Sequence, residues 1–254
     1  MKKIILVSAA IVLLLGVAGF FQFAPGIAER SMNEVDGEPL IAVSDEAKAL
    51  HKTLTIVDLH SDTLLWQRNL LDRATRGHMD LPRLAEGNVA LQVFSSVTKT
   101  PKGQNYDAND ADSDNITSLV IAQLQPTRTW SSLLERSLWH AEKLDRAAAN
   151  SDGELLKVYT AKGVDRLLRE RSRTSAQPVG ALLSIEGLQN LEGNIANLDE
   201  LQAAGFRMAS LTHFFDTDLA GSMHGLEKGG LTDKGRAVVR RMEELGMVVD
   251  IAHC

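Results

Sequence analysis

His60 and Asp62 are the two residues whose types and spacing most directly suggest chemistry. They follow an apolar run, residues 54–59, that predicts a β-strand. Side chains two residues apart on a strand point the same way and lie about 7 Å apart along it. An imidazole and a carboxylate that project together from a strand end can share a divalent cation, although such a pair also occurs at ordinary strand ends. The pair therefore predicts a metal site only if further ligands converge on it.

Further ligand-type side chains follow other predicted strands. Apolar runs in the second half of the chain end at Glu186, His213 and His253. Zinc and similar ions take imidazole nitrogens and carboxylate oxygens, and hydrolytic sites often hold two ions about 3.5–4 Å apart. Such a site needs ligands from several strands and a carboxylate that can bridge the ions. Each residue alone fits an ordinary loop position, but their common place at strand ends favours a metal site.

The elements that must position these residues recur along the chain. Five near-continuous apolar runs predict strands at 54–59, 89–94, 179–185, 206–211 and 247–251. Continuous runs are typical of strands that are covered on both faces. Helices are predicted between several of them, with Ser132 and Thr232 as N-caps and Gly205 as a C-terminal stop. Strand, helix and strand at short intervals predict parallel βαβ units.

Two α/β architectures fit this order, the doubly wound sheet and the (β/α)8 barrel. No Gly-x-Gly-x-x-Gly follows the first run, so a dinucleotide-binding sheet has no specific support. A barrel carries its chemistry at the C-terminal ends of its strands, which is where the polar residues fall here. We therefore predict a (β/α)8 TIM barrel, represented by about its first five strands.

The N-terminus predicts a membrane segment. Lys2 and Lys3 precede an uncharged run at residues 4–24, and about 21 residues suffice to cross a hydrocarbon layer about 30 Å thick as a helix. A cleaved signal peptide usually has a shorter apolar core and a small-x-small cleavage site, and phenylalanines stand where that site is expected. We expect an uncleaved signal anchor, with a cleaved leader as the alternative.

Charges around this run predict the side on which the body lies. Lysines before it and the acidic Glu34, Asp36 and Glu38 after it place the N-terminus in the cytoplasm and the body in the periplasm or the extracellular space. The predicted division is a signal anchor or signal peptide at 1–25, a linker at 26–44 and a barrel portion at 45–254.

Composition and charge exclude some classes of function. The chain has 254 residues, of which 44% are hydrophobic and 24% charged, as in a globular protein. A formal net charge of −6, without a stripe of Lys and Arg, argues against a general nucleic-acid binder. Cys254 is the only cysteine, so no internal disulfide can form. Nothing in the sequence indicates the oligomeric state.

Seven segments occur in an order that is jointly specific. They are Val57-Asp58-Leu59-His60-Ser61-Asp62-Thr63, His78-Met79-Asp80-Leu81-Pro82-Arg83-Leu84, Ile185-Glu186-Gly187, Leu211-Thr212-His213-Phe214, Ser222-Met223-His224-Gly225, Gly230-Leu231-Thr232 and Asp250-Ile251-Ala252-His253. Over roughly residues 50–254, the sequence thereby resembles the membrane dipeptidase (renal dipeptidase) family of zinc peptidases. This resemblance implies a barrel of the metal-dependent hydrolase type, related to that of the amidohydrolases.

The resemblance also implies a role for each candidate residue. His60 and Asp62 bind the first of two zinc ions, Glu186 bridges both ions, and His253 binds the second. His213 lies in the substrate pocket and polarises the scissile carbonyl or its tetrahedral oxyanion. The implied function is metal-dependent hydrolysis of dipeptides by a water or hydroxide held between the ions, whose pKa the metals lower.

The family pattern continues past the last residue of this chain, with a further metal-binding histidine, an arginine for the substrate carboxylate and an aspartate. We therefore expect the front part of a longer barrel, or the product of a truncated gene, which by itself folds poorly and hydrolyses dipeptides little. Two alternatives stay open. One is an amidohydrolase that acts on another amide or a lactam, and the other is an inactive, membrane-tethered remnant.

The remaining histidines are interpreted structurally. His51 and His140 are expected at the surface, and His78 with Asp80 in a structural loop. His224 lies in a glycine-rich loop after the fourth predicted strand, so it is a candidate for the edge of the pocket.

Overall fold

A computed structural model describes residues 2–35, 37, 41–173 and 177–254. In this part of the chain, six strands alternate with eight α-helices. The strands are β1 (Ile56–Asp58), β2 (Val89–Val97), β3 (Leu155–Lys157), β4 (Val179–Glu186), β5 (Phe206–Ser210) and β6 (Val248–Asp250). The helices are α1 (Lys2–Met32), α2 (Asp45–Thr53), α3 (Leu81–Glu86), α4 (Ile116–Ala122), α5 (Leu133–Ala149), α6 (Ala161–Arg173), α7 (Asn197–Ala203) and α8 (Asp233–Glu244).

The six strands form one parallel sheet. Its main path runs β1-β2-β4-β5-β6, and the short β3 also pairs with β4. Strand β2 pairs with one edge of β4, from Gly180 to Glu186. The other edge of β4 pairs with β3 at residues 179–181 and with β5 at residues 183–185. Parallel strands joined by helices confirm the predicted α/β class. In the described residues β1 and β6 end the sheet without pairing to each other, so the sheet is open.

The central strands carry the core. Phe94 of β2 and Leu183 and Ile185 of β4 are almost fully buried, and the apolar faces of α5, α7 and α8 pack in the same cluster. Burial on both faces confirms what the continuous apolar runs predicted for these strands. The outer strands are more open, since Val57 in β1 is 46% exposed and Val248 in β6 is 58% exposed.

All five predicted strands are present, and β3 is the strand that the sequence did not reveal. It contributes only three residues, and its last residue, Lys157, interrupts the apolar pattern. Helix α6 was also missed, although Val164 and Leu167, three residues apart, pack in the same small apolar cluster. The pairing of the short β3 with β4 depends on tertiary contacts, which a local sequence pattern does not show.

The predicted caps fix where the helices begin and end. Ser132 accepts a hydrogen bond from the Glu135 backbone N–H at 3.2 Å, and Thr232 accepts one from the Gly235 N–H at 3.0 Å. Gly205, with φ of 109°, follows the end of α7 and lets the chain turn directly into β5. These caps confirm the predicted helix boundaries.

Helix α1 is longer than the predicted membrane segment. It is the one helix among the described residues that is long and apolar enough to cross a membrane, a test that an N-terminal signal sequence also passes. The helix continues to Met32, into the segment interpreted as a linker. Asp36 and Glu38, which contributed to the predicted orientation, lie outside the described residues.

His140 is buried, so its predicted place at the surface is wrong. It lies on the inward face of α5, where its Nδ1 is 2.8 Å from the Ser96 Oγ of β2 and Ser137 Oγ is 3.0 Å from the same hydroxyl. Burial lowers the pKa of His140 to about 3. The polar side chain of His140 suggested a place at the surface. In the structure, His140, Ser137 and Ser96 contact one another inside the core.

This buried imidazole predicts a pH dependence of stability. Unfolding exposes His140, whose pKa then returns to about 6.5, so unfolding takes up a proton and stability is lost as the pH falls from about 6.5 to 3. We expect His140→Gln to reduce the slope of the unfolding free energy against pH by about 1.4 kcal/mol per pH unit between pH 4 and 6. Urea unfolding followed by circular dichroism measures this slope.

The control is His51→Gln, at an exposed position of α2. It should keep the slope of the unmodified protein. Equal slopes for His140→Gln and the unmodified protein would contradict the assignment.

Candidate metal centre

Glu186 is the centre of a cluster that contains all five predicted site residues. Its Oε1 lies 3.1 Å from His253 Nε2. Its Oε2 lies 3.4 Å from His213 Nε2 and 3.6 Å from His60 Nε2. Asp62 joins the cluster through His60, whose Nε2 is 3.1 Å from Asp62 Oδ1. The C-terminal ends of four parallel strands therefore bring these side chains to one carboxylate.

Two groups of potential metal ligands share this carboxylate. One consists of His60, Asp62 and Glu186, and the other of Glu186, His213 and His253. Within each group the ligand atoms lie within 4.8 Å of one another. Glu186 is the one residue that both groups contain.

The loop after β1 aims His60 and Asp62 at the same point. The His60 backbone N–H donates to Asp58 Oδ1 at 3.0 Å, which closes a tight turn. The Ser61 carbonyl accepts a hydrogen bond from the Ser95 N–H of β2 at 2.9 Å. The turn is thus tied to the neighbouring strand. Although His60 and Asp62 were predicted at a strand end, they lie in the loop after β1, and their side chains meet at 3.1 Å.

A glycine ties the end of β4 to β5. Gly187 has φ of 84°, and its N–H donates to Ser210 Oγ at 2.8 Å. A Cβ at this position would lie 2.1 Å from Gln189 Oε1, so a larger residue would displace its neighbour. This bond holds the backbone beside Glu186.

Hydrogen bonds to main-chain carbonyls hold the two later histidines. The His253 carbonyl accepts from the Met223 N–H at 2.9 Å and from Thr212 Oγ1 at 3.2 Å. The His213 carbonyl accepts from Ser222 Oγ at 2.5 Å. The loop after β5 therefore fixes both its own histidine and the one that follows β6.

The cluster is open on one side and closed on the other. The side chains of His60 and Asp62 are 42% and 41% exposed, whereas those of Glu186 and His213 are 13% and 6% exposed. A small molecule can therefore reach the cluster from the side of His60.

The charges of the cluster are coupled. The hydrogen bond to Asp62 raises the pKa of His60 to about 9, against the effect of burial. Burial alone would raise the pKa of Glu186, but the hydrogen bond from His253 and the charges of His213 and His60 outweigh it and lower that pKa. Burial lowers the pKa of His213. A metal that binds His60 must therefore displace a proton, because a ligating imidazole is neutral.

The donor set fits a divalent transition metal. Imidazole nitrogens and carboxylate oxygens suit zinc, and also manganese and cobalt. The Nδ1 atoms of His213 and His253 are buried and have no hydrogen-bond partner among the described residues. The Nε2 atoms of both rings face the shared carboxylate, so Nε2 is the atom that either ring can offer to a metal. The same geometry admits His213 as a ligand, beside the substrate role that the resemblance implies.

Sequence reasoning missed an aromatic wall beside the cluster. The Phe214 ring stacks on that of His224, with centroids 4.7 Å apart, and lies 5.5 Å from the His253 ring. Tyr106 is 5.6 Å from His224 by ring centroids, and its carbonyl lies 2.9 Å from His224 Nδ1. Tyr106 lies in the loop between β2 and α4. In the sequence, only the glycine-rich loop around His224 indicated that this region lies near the pocket.

Comparison with known proteins agrees with the geometry. The model of a family described as membrane dipeptidase (peptidase family M19) matches residues 44–254. Dipeptidase aclJ of Aspergillus oryzae is 26% identical over 227 residues, which are 81% of this chain and 48% of that protein. The chain thus spans about half the length of this relative.

Solved structures show the same fold. The probable dipeptidase PvdM from Pseudomonas aeruginosa aligns with a TM-score of 0.60 and 17% identity, over 82% of this chain and 49% of its own. A metallopeptidase from Rhodobacter sphaeroides, liganded with a phosphinate mimic of the dipeptide L-Ala-D-Ala, aligns with a TM-score of 0.50 and 21% identity, over 79% and 59%. The open parallel sheet is accordingly half of a TIM-type barrel.

The shared carboxylate generates a prediction about metal content. Because both ligand groups contain Glu186 and only one contains Asp62, we expect Glu186→Gln to lower the metal content of dialysed protein more than Asp62→Asn does. Mass spectrometry of the metal in purified, zinc-loaded protein measures the stoichiometry. His78→Ala, at an exposed histidine with the same His-x-Asp spacing, serves as the control and should keep the metal content of the unmodified protein. Wild-type zinc content in Glu186→Gln would rule out the shared site.

Proposed function

The chain belongs to the membrane dipeptidase family, and we propose that its protein hydrolyses dipeptides with two divalent metal ions, zinc in the first place. The observation that supports this most directly is the position of Glu186, which two groups of ligand-type side chains share at the C-terminal ends of parallel strands. Hydrolytic two-metal sites hold their ions about 3.5–4 Å apart, and a carboxylate has two oxygens with which it can serve both.

In this proposal each residue of the cluster has one role. His60 and Asp62 would hold the first ion, His253 would hold the second, and Glu186 would be available to both. Metal ions bound there would supply the chemistry of water activation, since a bound divalent ion lowers the pKa of water toward neutrality. The open side next to His60 admits the dipeptide, and the buried side next to His213 excludes water.

His213 acts on the substrate in the same proposal. Burial keeps its imidazole neutral at physiological pH, because its pKa is lowered. Its Nε2 faces the cluster, 3.4 Å from Glu186 Oε2. A neutral N–H at this place can donate to the scissile carbonyl and to the oxyanion that develops from it, without adding a charge beside the metals.

Activity and metal content together test these roles. For protein expressed from the complete coding sequence, we expect His213→Gln to lower kcat/KM for L-Ala-D-Ala about 10²-fold or more and to keep both ions. His60→Ala should lose an ion together with activity, and His78→Ala should retain both. Loss of an ion from His213→Gln would make His213 a ligand and the proposed substrate role wrong.

The substrate class can be tested on the same preparation. The proposal expects turnover of L-Ala-L-Ala or L-Ala-D-Ala and little turnover of their C-terminal amides. If metal-loaded protein hydrolyses neither dipeptide but cleaves a lactam or another amide, the amidohydrolase alternative is correct.

We also propose that residues 4–24 anchor the protein in a membrane, with the body of residues 45–254 outside the cytoplasm. The support is the length and apolar character of α1, together with the exposure of its large side chains from Ile4 to Leu15. Membranes washed with alkaline carbonate should retain the protein, and mass spectrometry should find its original N-terminal segment. A soluble product that begins after residue 24 would instead establish a cleaved leader.

A further inference from the structure

The last two turns of α1 are built into the body, and we infer from this that α1 is a rigid stem, retained in the mature protein, that holds the body against a lipid bilayer. The inference rests on the proposed insertion of residues 4–24 and adds the joint that follows them. A cleaved leader has no use for such a joint, and a flexible tether lacks one.

Helix α1 is exposed along its first half and becomes partly buried where it reaches the body. Large side chains from Ile4 to Leu15 are exposed, whereas Pro25 and Glu29 are buried. Ala28 packs against the cluster of apolar residues that includes Leu65, Trp66, Val97, Ile116, Leu119 and Val120. The bare stretch of about 21 residues is about 31 Å long as a helix, which matches the thickness of a hydrocarbon layer. A bilayer is therefore the partner that this bare stretch fits.

A buried carboxylate fastens the helix. Glu29, near the end of α1, is only 4% exposed. Arg76 Nε donates to Glu29 Oε2 at 2.5 Å, and Arg68 Nε lies 3.7 Å from Glu29 Oε1, an ion-pair distance. A carboxylate is buried at low cost only where positive charge compensates it. Two guanidiniums from one loop provide that charge here.

Main-chain contacts fasten the helix a second time. The Gly77 N–H donates to the Asn33 carbonyl at 2.7 Å, just beyond the end of α1, and Asn33 Nδ2 donates to the Glu29 carbonyl at 3.0 Å. Gly77 has φ of 64°, and a Cβ there would lie 2.0 Å from Arg68 Nη1. The glycine thus lets Arg68 approach both the loop and the helix.

The loop that carries Arg76 is itself held rigidly. Arg83 donates to the Gly77 carbonyl at 2.5 Å and to the Arg76 carbonyl at 3.2 Å. The fully buried Asp80 accepts from Arg83 Nε at 2.8 Å. The segment around His78 and Asp80, which the metal cluster does not use, therefore serves as the support of the joint.

The joint also reaches the loop that carries a proposed metal ligand. Arg68 Nη2 donates to Thr63 Oγ1 at 3.0 Å, and Thr63 directly follows Asp62. One arginine thus contacts the stem on one side and the loop of the cluster on the other. The position of the metal cluster relative to the bilayer is accordingly set by hydrogen bonds and ion pairs of Arg68, and not by a flexible linker.

Cleavage by trypsin in membranes tests the joint. With the full-length protein in vesicles of phosphatidylethanolamine and phosphatidylglycerol, we expect the Arg30–Ser31 bond to be cut at least about tenfold more slowly than Lys48–Ala49. Lys48 lies in α2, a helix with no buried residue, so it provides an internal reference. Equal rates in the unmodified protein would overturn the inference without any variant.

Substitution of the buried carboxylate provides the second arm. Glu29→Ala should accelerate cleavage at Arg30 at least about tenfold, while zinc content and retention by carbonate-washed membranes stay unchanged. Glu34→Ala removes an exposed carboxylate shortly after the same helix and should cleave like the unmodified protein. Unchanged cleavage in Glu29→Ala, or a mature N-terminus at or beyond Gly26, would overturn the joint. Loss from washed membranes in every protein would instead overturn the proposed anchor.

Discussion

A buried carboxylate needs compensating positive charge, and the functional end of this fold is organised by that requirement at Glu186. The carboxylate is mostly buried at the end of a central strand, and three imidazoles face its two oxygens. Parallel strands make this arrangement possible, because all their C-terminal ends meet at one edge of the sheet. The bond from Gly187 to Ser210 and the loop contacts at His253 are the supports that keep the charges together.

The carboxylate of Glu29 in α1 also needs compensating positive charge, but other residue types provide it. At Glu29 two arginines compensate the carboxylate, and an arginine stays charged at every physiological pH. At Glu186 the compensating groups are histidines, which can lose a proton and bind a metal instead. Arginines at Glu29 suit a permanent contact between α1 and the body. Histidines at Glu186 suit a site at which metal ions can supply the positive charge.

The sheet separates the stable part of the chain from the part available for chemistry. Its central strands β2 and β4 are buried on both faces and carry the main apolar cluster. The side chains that follow the strands lie outside this cluster, where His60 and Asp62 remain accessible. The chain spans about half the length of its relatives, and within that half the ligand-type residues already converge.

The sequence by itself determined the features that depend on neighbours along the chain. Continuous apolar runs predicted β2 and β4, and the caps at Ser132 and Thr232 predicted helix starts. Local geometry is sufficient for each of these, because a strand or a cap is set by residues a few positions apart.

Only the tertiary structure decided the contacts between distant segments. The burial of His140 against Ser96, the place of Tyr106 beside His224 and the pairing of Glu29 with Arg76 join residues 44, 118 and 47 positions apart. No local pattern encodes such pairs, since their partners are chosen by how helices and loops pack on the sheet. The fold class and the convergence of the candidate ligands could therefore be predicted, whereas the aromatic wall and the contacts of Glu29 with the arginines required the folded chain.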